Sequence, residues 1–258
     1  MPPKARDEPS TFQAPLRHQK PPPTSDLPLP TLKHLFFDAA GTLIELRESV
    51  GQTYSRIAAT HGLNVDPIQL QQNFRTAWKT HPPVLHETGP SPDDDRSWWQ
   101  SLVATTFAIT LGKPLPDTTL LPLFHDLYHH FESPNAWQLF PDVLPTLQSL
   151  APNYPLHILS NFDRRLHSIL HGLGIHHFFT TITLSSEVGA SKPHPRIFAH
   201  AQTQADITDP THCLLVGDDQ QCDHDGALLA GWHPYLLDRP QHTLGDLLKF
   251  LSRPASSN

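Results

Sequence analysis

Two cysteines, Cys213 and Cys222, are all that the 258 residues contain. That is too few for a disulfide framework, so a reducing compartment is the default. Neither belongs to a Cys-x-x-Cys pair or a thiol-protease pattern. Long apolar runs are also missing. None approaches the ~20 residues needed to span a bilayer, and the first residues lack the apolar stretch of a secretory signal. The expectation is a cytoplasmic protein with no membrane partner. Cations are scarce as well: 18 Lys and Arg face 25 Asp and Glu, for a net charge of −7 with His neutral. No basic cluster compensates, which argues against nucleic acid as a partner. Nothing in the pattern sets an oligomeric state.

What is present is a soluble globular composition, 38% apolar and 17% charged, in a chain long enough for one core plus a subdomain. Proline (28) and histidine (19) are abundant. The densest histidine groups are His129-His130 and His171, His176, His177. They lack the His-x-Glu or paired Cys that would complete a zinc tetrahedron, so exposed or locally capped histidines are expected. Residues 1–31 hold nine prolines and few large apolar side chains. Such a segment buries too little to offset its ordering entropy and is expected to be a disordered tail, as are residues 253–258.

Between the tails, short apolar runs alternate with helix patterns. The runs are His34–Phe37, Leu156–Leu159, Thr181–Leu184, Leu214–Val216 and Pro234–Leu237. They look like strands buried on both faces. Helices are predicted at about 141–151, 163–173, 194–205, 221–231 and 243–252, with Pro141 in a first turn and Asp163 as an N-cap. The alternation predicts an α/β fold with a parallel sheet. In such sheets ligands lie outside the C-terminal strand ends. The interval from Asp38 to Ser160 is far longer than one crossover needs and is mostly helical in pattern. Asp66-Pro67 opens a helix there. Leu70, Phe74 and Trp78 form one stripe, Trp99, Val103, Phe107 and Leu111 a second, and Leu120 through Phe131 a third. Residues 47–137 are therefore expected to form a helical cap, inserted after the first strand. The core is then 32–46 and 138–252. The stripes are read as cap core rather than substrate slot, and residues 80–96 as a loop.

Four polar landmarks stand at or near predicted strand ends: Asp38, Ser160-Asn161, Lys192 in Ser191-Lys192-Pro193, and Gly217-Asp218-Asp219 with Asp223. Singly each is weak, since an Asp after a strand is often only a turn residue. Together they are the parts for handling a phosphoryl group. Asp38 can attack phosphorus and form an aspartyl-phosphate. Magnesium prefers oxygen ligands, and Asp38, Asp218 and the Ala40 carbonyl can supply them. Asp223, or with less support Asp219, can hold a metal-bound water or orient Lys192. Ser160, Asn161 and Lys192 can bind phosphate oxygens and neutralise developing charge.

The set Phe37-Asp38-Ala39-Ala40-Gly41-Thr42-Leu43, Leu159-Ser160-Asn161, Lys192-Pro193 and Val216-Gly217-Asp218-Asp219 through Asp223 resembles the four motifs of the haloacid dehalogenase superfamily. The resemblance covers about 33–240. It implies a Rossmann-like core with a helical type-1 cap, and magnesium-dependent hydrolysis of a small phosphorylated metabolite. The chain departs from the pattern at one position. Phosphatases of that family usually carry a second Asp two residues after the nucleophile, as the acid that protonates the leaving group. Here that residue is Ala40, and general acid–base help is worth about 10²–10⁴-fold. Glu45 or a cap histidine could substitute. Three other readings follow. A 2-haloacid dehalogenase needs no metal. A phosphonatase-like hydrolase would need a cap lysine, for which Lys79 is a candidate. A non-catalytic phosphate-binding protein is the fourth reading.

Overall fold

A computed structural model describes residues 32–81 and 84–252. The two expected tails lie outside the described residues. The sheet starts with β1 (His34–Phe37), whose side chains alternate between two cores. Leu35 and Phe37 enter one, and Phe36 enters the other. Alternation is the ordinary consequence of the strand period. Burying each such side chain contributes about 1.5–3 kcal/mol, so a run of three fixes this strand at the centre. After β1 the chain makes a flap strand, β2 (Ile44–Leu46), then four helices: α1 (Val50–Thr60), α2 (Pro67–Thr80), α3 (Arg96–Leu111) and α4 (Asp117–Glu132). A second flap strand, β3 (Trp137–Leu139), returns antiparallel to β2.

The remaining elements complete the sheet and its flanking helices. They are α5 (Val143–Leu150), β4 (Leu156–Ser160), α6 (Arg165–Gly172), β5 (Phe179–Leu184), α7 (Ser185–Val188), α8 (Pro195–Gln204), β6 (Cys213–Gly217), α9 (Gly226–Leu229), β7 (His233–Leu236) and α10 (Leu244–Leu251). The strands are all parallel, in the order β5-β4-β1-β6-β7. The chain leaves β1 in one direction through β4 and β5, then in the other through β6 and β7. Asp38, Ser160 and Asp218 therefore share the C-terminal edge around this reversal, where α/β sheets hold ligands. Among the described residues, no helix is long and apolar enough to cross a membrane.

The helical layer has its own core. Tyr54, Leu70, Phe107, Leu123 and Leu127 are buried together. Ser49 and Gln52 close a capping box on α1, and Asp66 accepts from the Ile68 N–H at the start of α2. Four sequence expectations shift in detail. Pro141 lies in a turn just before α5 rather than inside it. Asp163 precedes the N-cap residue Arg164 of α6, and its Oδ1 accepts both the Arg165 backbone N–H and the Arg165 Nε–H. Strand β5 starts two residues early, at Phe179. The helix expected at 221–231 opens as a π-turn over Gln220–Asp225. There the His224 N–H reaches the Asp219 carbonyl, five residues back, at 3.2 Å.

Candidate active site

Asp38 follows β1 directly, its own N–H bonded to the Val216 carbonyl at 2.9 Å. The residue is nearly buried, at 8% exposure. One carboxylate oxygen accepts from Ser160 Oγ at 3.0 Å and from Lys192 Nζ at 2.7 Å. Lys192 uses its other two donors on the Leu159 carbonyl, 2.8 Å, and Asp223 Oδ1, 2.6 Å. All three ammonium protons thus have fixed acceptors. Burial works against the Lys192 ammonium, yet the Asp223 and Asp38 carboxylates outweigh it and hold its pKa above that of a free lysine. Burial raises the carboxyls of Asp38 and Asp223, and Lys192 opposes that rise.

Asp218 comes from the end of β6 and accepts from Thr42 Oγ1 at 2.9 Å. Two glycines make room here. Gly41 has φ +90, and a Cβ there would lie 2.4 Å from Asp218 Oδ2. A Cβ on Gly217 would lie 2.2 Å from the Asp223 carboxylate. Oxygens of Asp38, Asp218 and Asp223 stand within 4.8 Å of one another. Opposite ligands around magnesium are ~4.2 Å apart, so this donor set fits a hard divalent cation with little adjustment. Three carboxylates against one ammonium leave the floor electronegative, which favours a cation further. Asp223 is already held by Lys192 and by the Asp219 N–H, at 3.0 Å.

Two expected site residues also have local backbone partners. Asn161 lines the cavity, and its side-chain amide also meets the Lys192 backbone. It donates to the Lys192 carbonyl at 3.0 Å and accepts from the Lys192 N–H at 2.6 Å. It clamps the lysine's backbone. Asp219 lines the cavity but is not among the hydrogen-bond partners of Lys192 Nζ. Its carboxylate accepts from the Gln221 and Cys222 N–H groups, capping the turn that carries Asp223. The stand-in acids are absent too. Glu45 is bonded to Gln138 across the flap at 2.8 Å, and no described histidine lines the cavity above Asp38. Burial pushes the Cys222 thiol up to about 12, which removes it as a nucleophile.

That cavity measures about 550 Å³ and is roofed by the four helices. The aromatic stripes therefore have two uses. Leu70, Phe107 and Leu123 pack inward, while Phe74, Trp78, Trp99 and Phe124 also line the cavity. Sequence reasoning missed the joint between roof and floor. Arg165, 7% exposed, pairs with the fully buried Asp163 through Nε at 2.8 Å and Nη2 at 2.6 Å. Asp163 also accepts from Trp99 Nε1 at 2.7 Å. The guanidinium lies 3.9 Å from the Tyr128 ring centroid and 5.1 Å from that of Trp99, which is cation–π range. The segment after α2 adds a strap. Its His86 N–H bonds the Gly189 carbonyl at 2.8 Å, and its Val84 carbonyl takes both the N–H and the Oγ of Ser191, beside Lys192.

A parallel sheet with a carboxylate trio, a buried lysine and a helical roof defines a capped Rossmann-like α/β protein. A family profile of haloacid dehalogenase-like hydrolases matches residues 32–231. Haloacid dehalogenase-like hydrolase domain-containing protein 3 of Mus musculus is 35% identical over 209 residues, 80% of this chain and 82% of that protein. The chain belongs to the haloacid dehalogenase-like hydrolase family. Solved structures agree on the fold. The HAD-hydrolase YfnB of Bacillus subtilis, bound to magnesium, superposes with TM-score 0.68 at 18% identity, covering 87% of this chain and 100% of that one. The L-2-haloacid dehalogenase of Xanthobacter autotrophicus gives TM-score 0.62 at 20% identity, covering 87% and 84%.

Proposed function

We propose that this protein is a magnesium-dependent phosphatase that works through an aspartyl-phosphate on Asp38. The observation that carries the reading is the carboxylate trio. Asp38, Asp218 and Asp223 crowd within 4.8 Å, an arrangement that displacement of halide from carbon does not need. Asp38 and Asp218 would hold the ion directly, with the Ala40 carbonyl as a third protein ligand and Asp223 reached through water. When bound, magnesium supplies charge neutralisation at the phosphoryl oxygens. Ser160 and Lys192 keep one Asp38 oxygen fixed, leaving the other to attack phosphorus. The Lys192 ammonium faces the charge that builds on the transferring group. A phosphate contact from Asn161 would come from its backbone N–H or from the amide proton not given to the Lys192 carbonyl. Water then attacks the aspartyl-phosphate, releasing phosphate and regenerating the Asp38 carboxylate.

Hydrolysis of p-nitrophenyl phosphate and acyl phosphates, with magnesium and with chelator, tests this. Turnover is expected with magnesium. It should disappear in chelator and fall by about 10⁴-fold or more in Asp38→Asn. Halide release from 2-haloacids that persists in chelator would reverse the conclusion.

A further inference from the structure

The cavity is larger and more aromatic than a small phosphorylated acid requires. Its 550 Å³ falls within the ~300–1,000 Å³ range of pockets that enclose drug-sized ligands. Four cationic side chains line it: Arg75, Lys79, Arg165 and Lys192. Two of them are matched, Arg165 by Asp163 and Lys192 by Asp38 and Asp223. Among the described residues, Arg75 and Lys79 pair with no carboxylate. They stand one helical step of four apart on α2, ~6 Å along the axis. Phe74 and Trp78 lie on the same lining face. Gln71, one step earlier, is held by the Gly51 N–H at 2.8 Å. A chain of net charge −7 thus presents two unmatched cations beside aromatic rings, on the wall of the cavity that its candidate nucleophile also lines.

The floor adds a chemical restriction. Ala40 cannot protonate a leaving group, and neither Glu45 nor any described histidine lines the cavity to replace it. With no acid at position 40, a leaving group that can depart as an anion is favoured. A phenol, with a pKa of about 10, does so far more readily than an alkanol of roughly water-like acidity, near 15.7.

We propose that the substrate is an aryl phosphate, a phenolic monoester whose ring lies against Trp78 and its aromatic neighbours and whose second anionic group is read by Arg75 and Lys79. This rests on the phosphatase reading. An Asp38 oxygen bonds to phosphorus as the aryl oxygen–phosphorus bond breaks. The phenoxide leaves with the electron pair and takes a proton from water.

Binding and turnover are tested separately. Phenylphosphonate, 4-carboxyphenylphosphonate and 1,4-phenylenediphosphonate, which are not hydrolysed, are titrated against the full chain with magnesium, following tryptophan fluorescence. The two probes with a second anionic end should bind about tenfold tighter than phenylphosphonate, the scale of two partly screened cation contacts. That ratio should collapse to about twofold or less in Arg75→Gln/Lys79→Gln, whose sites are exposed, and shrink with added salt. The tighter of the two probes identifies the second group as carboxylate or phosphate. Equal binding of all three, or a ratio unchanged in the double variant, overturns the anion subsite. The matching aryl phosphates and butyl phosphate are then compared for turnover. Equal kcat/KM for butyl and aryl esters overturns the aryl assignment. Turnover without the binding preference removes only this inference, whereas the preference without any turnover removes the phosphatase reading and leaves the subsite.

Discussion

The floor and the roof of the cavity are built on opposite principles. On the floor every polar side chain is engaged by another: Asp38 by Ser160 and Lys192, Lys192 by Asp223, and the Lys192 backbone by Asn161. On the roof, aromatic faces and two cations face the cavity without partners of opposite charge. A closed network holds reacting atoms still, which is what transition-state stabilisation requires. An open aromatic wall is adaptable, which is what recognition of a substrate body requires. Under the proposed function, the chemistry belongs to the sheet and the choice of substrate to the helices.

The sharpest break of this contrast is Lys192→Met. It removes the cation that, among the described residues, bonds Asp38 and Asp223, and leaves those carboxylates without it. Turnover should fall by about 10³-fold. Breaking a buried pair of this kind costs ~3–5 kcal/mol, so denaturant unfolding should show a clear loss in the metal-free protein. A loss of similar size from the roof substitution Arg75→Gln would contradict the division of labour. The next largest effect runs the other way. Ala40→Asp adds a carboxylic acid where the cavity meets the floor. It should raise alkyl phosphate turnover by about 10²-fold, at the low end of general acid catalysis, and raise aryl phosphate turnover less. A uniform response across leaving groups would show that proton donation does not limit the native site.

The same division explains what was legible in the sequence. Asp38, Ser160 and Asp218 were readable because each ends an apolar run buried on both faces, and the chain order of strands then places them on one edge. The backbone partners of Asn161 and Asp219 were not readable, because such hydrogen bonds leave no periodicity. The Asp163–Arg165–Trp99 joint was hidden for a related reason. Its partners come from elements more than sixty residues apart, and only Asp163 and Arg165, two positions apart in the chain, hinted at it. The cap stripes misled because a helix has two working faces. Leu70 and Ala77 fill the cap core, while Phe74 and Trp78, counted in the same apolar pattern, border the cavity.

At the joint between roof and floor the expected effect is smaller. Trp99→Phe keeps an aromatic ring but deletes the Nε1–H bond to Asp163. One such bond to a charged acceptor contributes about 1.5–3 kcal/mol. Part of that should appear as a several-fold rise in KM with kcat nearly maintained, because the roof closes less firmly while the floor is untouched. A fall in kcat with KM unchanged would place Trp99 among the groups that act on the transition state.

The smallest effect separates the two regions by pH. The cap histidines are exposed or half-buried, whereas His157 in β4 is 1% exposed. It stacks on Phe36 at 4.5 Å and is bonded to Thr181 and His34. Burial, and then the neighbouring His34, lower its pKa to about 4. An unfolded histidine titrates near 6.5, so between those values the unfolded chain binds the extra proton and the folded chain does not. His157 therefore supports the fold fully above about pH 6.5. That support is lost as pH falls toward 4, with a total effect of about 3 kcal/mol. Thermal unfolding of the wild type should shift down by a few degrees from pH 7 to pH 5. His157→Gln, which keeps a polar group for Thr181 and His34, should shift less over the same interval. Because the other titrating groups are common to both proteins, the difference in slope reports this one side chain. Parallel slopes would mean that acid acts first on the roof, and that the sheet under the active site is not the acid-sensitive half of the molecule.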